Sequence, residues 1–182
     1  MKKLIVLPAI WALLALSAGS AYAEPKNGFG LNAGVTSNQI SGGPAGSYQS
    51  SGLSLGLDYQ IALSNNWSLN PFLMTSAENA SGAVTSGTKA NHGMLGLEFR
   101  YWINDVFVGG HVASYSETLS TTNGIYTNST NVNGGGLGLV AGWEKPDGGL
   151  FVMGQLDSAN LKYPTSTNRL SGFRLSLGYR WK

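Results

Sequence analysis

The sequence contains no cysteine, which excludes a disulfide framework and any thiolate metal site. Charge is almost as scarce: Asp, Glu, Lys and Arg make up 11% of the 182 residues, less than half of the roughly 25% found in soluble domains. There are two histidines, His92 and His111, without metal-ligand spacing, so neither a metal nor a cofactor is expected. Beyond residue 23 no apolar run reaches the 18 or so residues of a spanning helix, and no stretch has the period of an amphipathic helix. If such a chain enters a membrane, it must do so with strands.

Residues 1–23 have a different composition from the rest. Met1-Lys2-Lys3 is a short basic start, Leu4 to Leu16 is apolar, and Ala21-Tyr22-Ala23 places small residues two apart. That pattern is a secretory signal peptide, with the mature chain expected from Glu24 to Lys182 as one domain. Lys2 and Lys3 leave with it, so the eleven basic residues fall to nine against nine acidic ones. The mature chain is formally neutral, which gives no basis for nucleic-acid binding.

What remains alternates. Leu53, Leu55, Leu57, Tyr59 and Ile61 are interleaved with Ser54, Gly56, Asp58 and Gln60. Leu95, Leu97, Phe99 and Tyr101 do the same, and Phe173, Leu175, Leu177, Tyr179 and Trp181 alternate with Arg174, Ser176, Gly178, Arg180 and Lys182. A period of two marks strands with one apolar and one polar face. Eight runs qualify, near 28–37, 52–62, 67–76, 91–102, 106–117, 134–144, 149–160 and 170–181. Short connections at 64–66, 104–105 and 145–148 alternate with long ones at 38–51, 77–90, 118–133 and 161–169, the rhythm of periplasmic turns and external loops. Ser, Thr, Asn and Gly dominate the long ones, as in solvated loops. Phe29, Tyr59, Trp67, Phe99, Tyr101, Trp143, Tyr179 and Trp181 all fall on apolar faces at one end, as an interfacial girdle requires; Phe173 lies at the other end.

In this architecture and in its final strand the chain resembles the small eight-stranded outer-membrane barrels, the OmpA/OmpX-like superfamily. The resemblance implies an all-β, antiparallel up-and-down barrel in a Gram-negative outer membrane, in contact with lipid and lipopolysaccharide. It also implies that the barrel-assembly machinery reads the last strand, usually through a terminal aromatic; here the aromatic is Trp181, followed by Lys182. A ligand for the external loops is not named by any motif.

Several motifs suggest chemistry without the context that chemistry needs. Gly52-Leu-Ser54-Leu-Gly56 has the form of a nucleophile elbow, yet alternation continues through Ile61 where a helix should start. Gly28-x-Gly30-x-x-Ala33 and Gly136-x-Gly138-x-x-Ala141 match a loose dinucleotide fingerprint and also lack the helix; glycines facing a narrow lumen, opposite Phe72, Met74, Trp102 and Phe151, explain them better. His111 is expected inside near Glu98, with Ser114 on the opposite face. Leu156-Asp157-Ser158 resembles the His-x-Ser region of the outer-membrane lipid A deacylases, but Leu156 replaces the histidine, leaving Ser158 without a base. No catalytic residue is assigned.

The inward charges expected from alternation are Asp58, Glu98, Arg100, Asp157, Arg174 and Arg180, three of each sign, which suggests a salt-bridged interior. With Phe72, Met74, Met94, Trp102, Phe107 and Phe151 also inward, the lumen is expected to be filled. A structural or surface-interaction role through the loops follows; a narrow channel and a lipid A-modifying hydrolase are the alternatives. Antiparallel register about Thr165 places Asp157 opposite Arg174 as an ion pair.

Overall fold

The computed structural model describes residues 25–42, 47–82, 84, 87–123, 126–145, 148–163 and 166–182. The proposed signal peptide lies outside the described residues. Eight strands follow in order: β1 (Gly28–Ser41), β2 (Tyr48–Ser64), β3 (Trp67–Gly82), β4 (Lys89–Ile103), β5 (Val106–Asn123), β6 (Tyr126–Glu144), β7 (Gly149–Lys162) and β8 (Thr167–Trp181). Each pairs antiparallel with its sequence neighbour, and β1 pairs with β8 to close the barrel. Following paired residues around from Leu31, through Leu57, Leu73, Leu95, Ser114, Gly135, Asn160 and Arg169, leads to Ser41, ten residues further along β1. This offset is the stagger that tilts the strands and lets a twisted sheet close on itself.

Alternation places the side chains as their chemistry demands. Leu55, Leu97, Leu139 and Leu177 are among the large apolar residues left exposed on the outer wall, while Phe72, Met74, Met94, Trp102, Phe107 and Phe151 are buried inside. The eight aromatics of the expected girdle are all exposed on the outer face. Register brings them together: Phe29 pairs with Tyr59 and Trp181, and Trp67 with Tyr101, with ring centroids of 6.0 Å for Phe29–Trp181 and 4.8 Å for Trp67–Tyr101.

The apolar belt ends sharply at the other side. Beyond Val35, Leu53, Val112 and Phe173 the next outward residues are Ser37, Ser51, Ser114 and Ser171. The strands run on past this limit. At 14 to 19 residues they exceed the 9–11 that a bilayer core requires, so one end of the barrel stands clear of the belt. The connections at this extended end are therefore shorter than expected. They span 42–47, 83–88, 124–125 and 163–166, because residues assigned to loops at 77–82, 118–123 and 126–133 continue as β3, β5 and β6. At the short-turn end, Asn104 takes the left-handed conformation (φ 55) between β4 and β5, which asparagine accepts more readily than other non-glycine residues.

Candidate functional site

Small residues leave room inside for large ones. A side-chain carbon added to Gly142 would meet Phe107, one at Gly178 would meet Phe151, and one at Gly138 would meet His111. Gly30 and Gly138 of the fingerprint-like runs thus serve packing, and both runs lie wholly within strands β1 and β6. Ser54 sits mid-strand in β2, opposite Gly34 and Ser76, with strand on either side where a nucleophile elbow would turn. Ser114 is exposed outside, opposite in direction to buried His111. Ser158 follows outward-facing Leu156 and pairs with Leu137 and Ser171.

The interior is organised in three tiers. Nearest the short turns, Arg180 reaches Asp58 at 2.8 Å and Glu144 at 3.0 Å, and Lys182 Nζ reaches Glu144 at 2.9 Å. Arg100 pairs with Glu98, and Gln155 donates to the other oxygen of Glu98. Arg100 lies over the Phe107 ring at 4.4 Å and Arg180 over Phe151 at 5.2 Å, so each guanidinium is held by carboxylate and aromatic face together. The middle tier joins His111 Nε2 and the Tyr115 hydroxyl to Asp157 Oδ1, both at 2.9 Å. His111 does pair with Glu98 in register, but its hydrogen bonds go to Asp157 and Tyr115.

The third tier stands in the extended end, beyond the belt. His92 bridges Glu78 and Glu117, at 3.1 Å from each. Ser50 and Ser76 donate to Glu78, and Tyr48 and Tyr163 donate to Glu117. Burial works against the His92 cation, but the hydrogen bonds and charges of Glu117 and Glu78 outweigh it and raise the pKa to about 9. Burial likewise opposes ionised Glu78, yet hydrogen bonds, first from His92, bring it down to about 2. Burial and then Glu117 push both tyrosines far above the ordinary phenol value, leaving them neutral donors. Ile40, Val132, Leu161 and Leu170 pack with Tyr48 in an apolar cluster at this end.

Two expectations are corrected. Among the described residues the buried acids are Asp58, Glu78, Glu98, Glu117, Glu144 and Asp157, against the arginines Arg100, Arg174 and Arg180; the signs are not three and three, because Glu78, Glu117 and Glu144 also face in. Arg174 pairs with Gln155, and Asp157 with Gly172. The Arg174 guanidinium donates to Gln155 at 3.2 Å and contacts Met94 sulfur at 3.3 Å, so the Asp157–Arg174 hydrogen-bonded pair is not formed. The register is two residues from the expected one.

No protein-family model and no curated sequence matches the chain. Solved structures do. Ail, the attachment invasion locus protein of Yersinia pestis, superposes with a TM-score of 0.63 at 12% identity, over 86% of this chain and 99% of that one. The fold is that of the small outer-membrane β-barrels. Neisserial surface protein A aligns with a TM-score of 0.58 at 14% identity, over 85% of this chain and 96% of that one. The N-terminal barrel of Pseudomonas aeruginosa OprF gives 0.51 at 10%, over 86% and 100%. At these identities the likeness is one of architecture.

Proposed function

We propose that this protein is an integral barrel of the outer membrane with a closed, non-conducting interior, acting as a structural or surface-interaction protein through its extended end, and that it is not an enzyme. The outer-membrane setting is supported by the apolar belt, its aromatic girdle and the neighbours' fold. Short turns belong on the periplasmic side in such barrels, which directs the extended end outward from the cell.

The observation that carries the non-conducting reading is the bridging of the lumen in each tier. Arg180 links β8 to β2 and β6, Tyr48 on β2 donates to Glu117 on β5, and Asp157 on β7 links to β5. Hydrolysis of lipid A has no support from Ser158, whose neighbour Leu156 projects outward. The test is planar-bilayer recording of refolded protein, together with gel mobility before and after boiling. Steady conductance from the heat-modifiable species would overturn the closed-lumen reading, and a lack of heat-modifiability would overturn the barrel-in-membrane reading.

A further inference from the structure

The extended end separates its charges. Its acids, Glu78 and Glu117, are buried in the lumen, while Lys89, Lys162 and Arg169 are exposed on the outer wall. The connections at this end, 42–47, 83–88, 124–125 and 163–166, contain no charged residue. The outward surface there is therefore purely cationic, although the mature chain is formally neutral. Two of the three cations sit together. Arg169 on β8 pairs with Asn160 on β7, and Lys162 follows two residues later on the same outward face, opposite Thr167.

Beside them the wall is indented. A groove of about 290 Å³ runs across β8, β1 and β2, lined by Ser37, Gln39, Gln49, Ser171 and Phe173 over a floor of Asn38 and Gly172. Gln39 pairs with Ser171, and Arg169 with Ser41, so Arg169 stands at the groove's outer rim. Phe173, at its inner end, is the last residue of the apolar belt on β8, and Val35 and Leu175 lie just below. Arg169 lies four residue steps from Phe173, about 13 Å of strand, which spans the step from hydrocarbon to headgroup.

We propose that this groove docks the phosphorylated sugar headgroup of an outer-leaflet glycolipid, with Arg169 and Lys162 on its phosphate and its acyl chains running down over Phe173, Val35 and Leu175. The proposal rests on the outer-membrane reading above. Hydroxyl and amide side chains suit sugar hydroxyls, an exposed guanidinium suits phosphate as a two-toothed donor, and an apolar wall directly beneath favours an occupant that carries hydrocarbon over a free anion. Basic residues at a membrane surface attract anionic lipid by amounts that reach tenfold or more for a pair.

The experiment uses the mature chain folded into phosphatidylcholine nanodiscs, with heat-modifiability recorded for every variant. Binding is measured for lipid A, for dephosphorylated lipid A and for inorganic phosphate as competitor. Wild type is expected to prefer lipid A to its dephosphorylated form by about tenfold. The double variant Arg169→Gln, Lys162→Gln should remove that preference, Ser171→Trp should block the groove with the charges intact, and Lys89→Gln, on the far side of the barrel, should change affinity less than about twofold. Equal affinity for the two lipids, an equal loss in Lys89→Gln, unchanged binding in Ser171→Trp, or displacement by inorganic phosphate at equal concentration would each overturn the docking site alone. If no variant inserts, the membrane reading is overturned, and this proposal with it.

Discussion

Arg180 on β8 and Asp58 on β2 meet at 2.8 Å across the inner face of β1, directly over Gly30. Gly30 is paired in register with both residues, and a side-chain carbon there would lie 2.4 Å from Asp58 Oδ1 and 3.0 Å from Arg180 Nη1. The ion pair thus exists because the intervening strand has no side chain at that position. Gly30→Val is expected to force the pair apart and to cost about 1–3 kcal/mol, the range for overfilling a packed interior. Urea unfolding in lipid, followed by heat-modifiability, measures it; unchanged stability would mean that the pair does not cross there.

Removing one charge should be worse than removing both. Asp58→Asn leaves Arg180 with Glu144 as its one carboxylate partner, and breaking a buried pair in this way costs about 3–5 kcal/mol. In a double-mutant cycle with Arg180→Gln, a coupling energy of zero would contradict the geometry.

Depth should govern the outer wall. Leu55 is 58% exposed within the belt, and Leu55→Arg should cost about 2–4 kcal/mol if it sits near the bilayer midplane. Ser51, four residues along on the same face and beyond the belt, should accept arginine at about 1 kcal/mol or less. Equal penalties in refolding titrations would show that the belt boundary is misplaced.

The His92 clamp gives a pH signature at the extended end. His92 has its pKa raised to about 9 from an ordinary 6.5, so its contribution is complete below about pH 6.5 and is lost as pH rises through 9. Glu78, lowered to about 2 from 4.5, contributes fully above about pH 4.5 and loses that as pH falls towards 2. Stability should therefore be greatest between these limits, and His92→Gln should flatten the alkaline decline selectively. A variant whose pH profile matches wild type from 6.5 to 9 would remove His92 from this role.

Much of this was legible because an apolar outer wall imposes contrast on the sequence: Leu55 against Ser54 and Leu177 against Ser176 can be read as outside and inside without a structure. Beyond the belt the contrast disappears. In Thr118 to Thr122 and Thr127 to Asn133 the outward face is polar, so the strand resembles a loop in composition, and Glu78 and Glu117 were hidden in or beside supposed connections. Glu144, at a strand's last position, was hidden the same way by the adjacent turn. The Asp157 register failed for a different reason. Hairpin pairing depends on the conformation of the connection at 163–166, which residue types alone do not specify, and an offset of two preserves the inward faces while exchanging Arg174's partner for Gln155.

Closure through β1 and β8 gives the chain a circular dependence. The first strand finds its second neighbour only in the eighth, Arg169 to Trp181, so the seven strands before it cannot close by themselves. A chain stopped before β8 would present two bare rows of peptide groups, on β1 and β7, to hydrocarbon that offers them no partner. Seven strands leave two open edges, and only the eighth removes both.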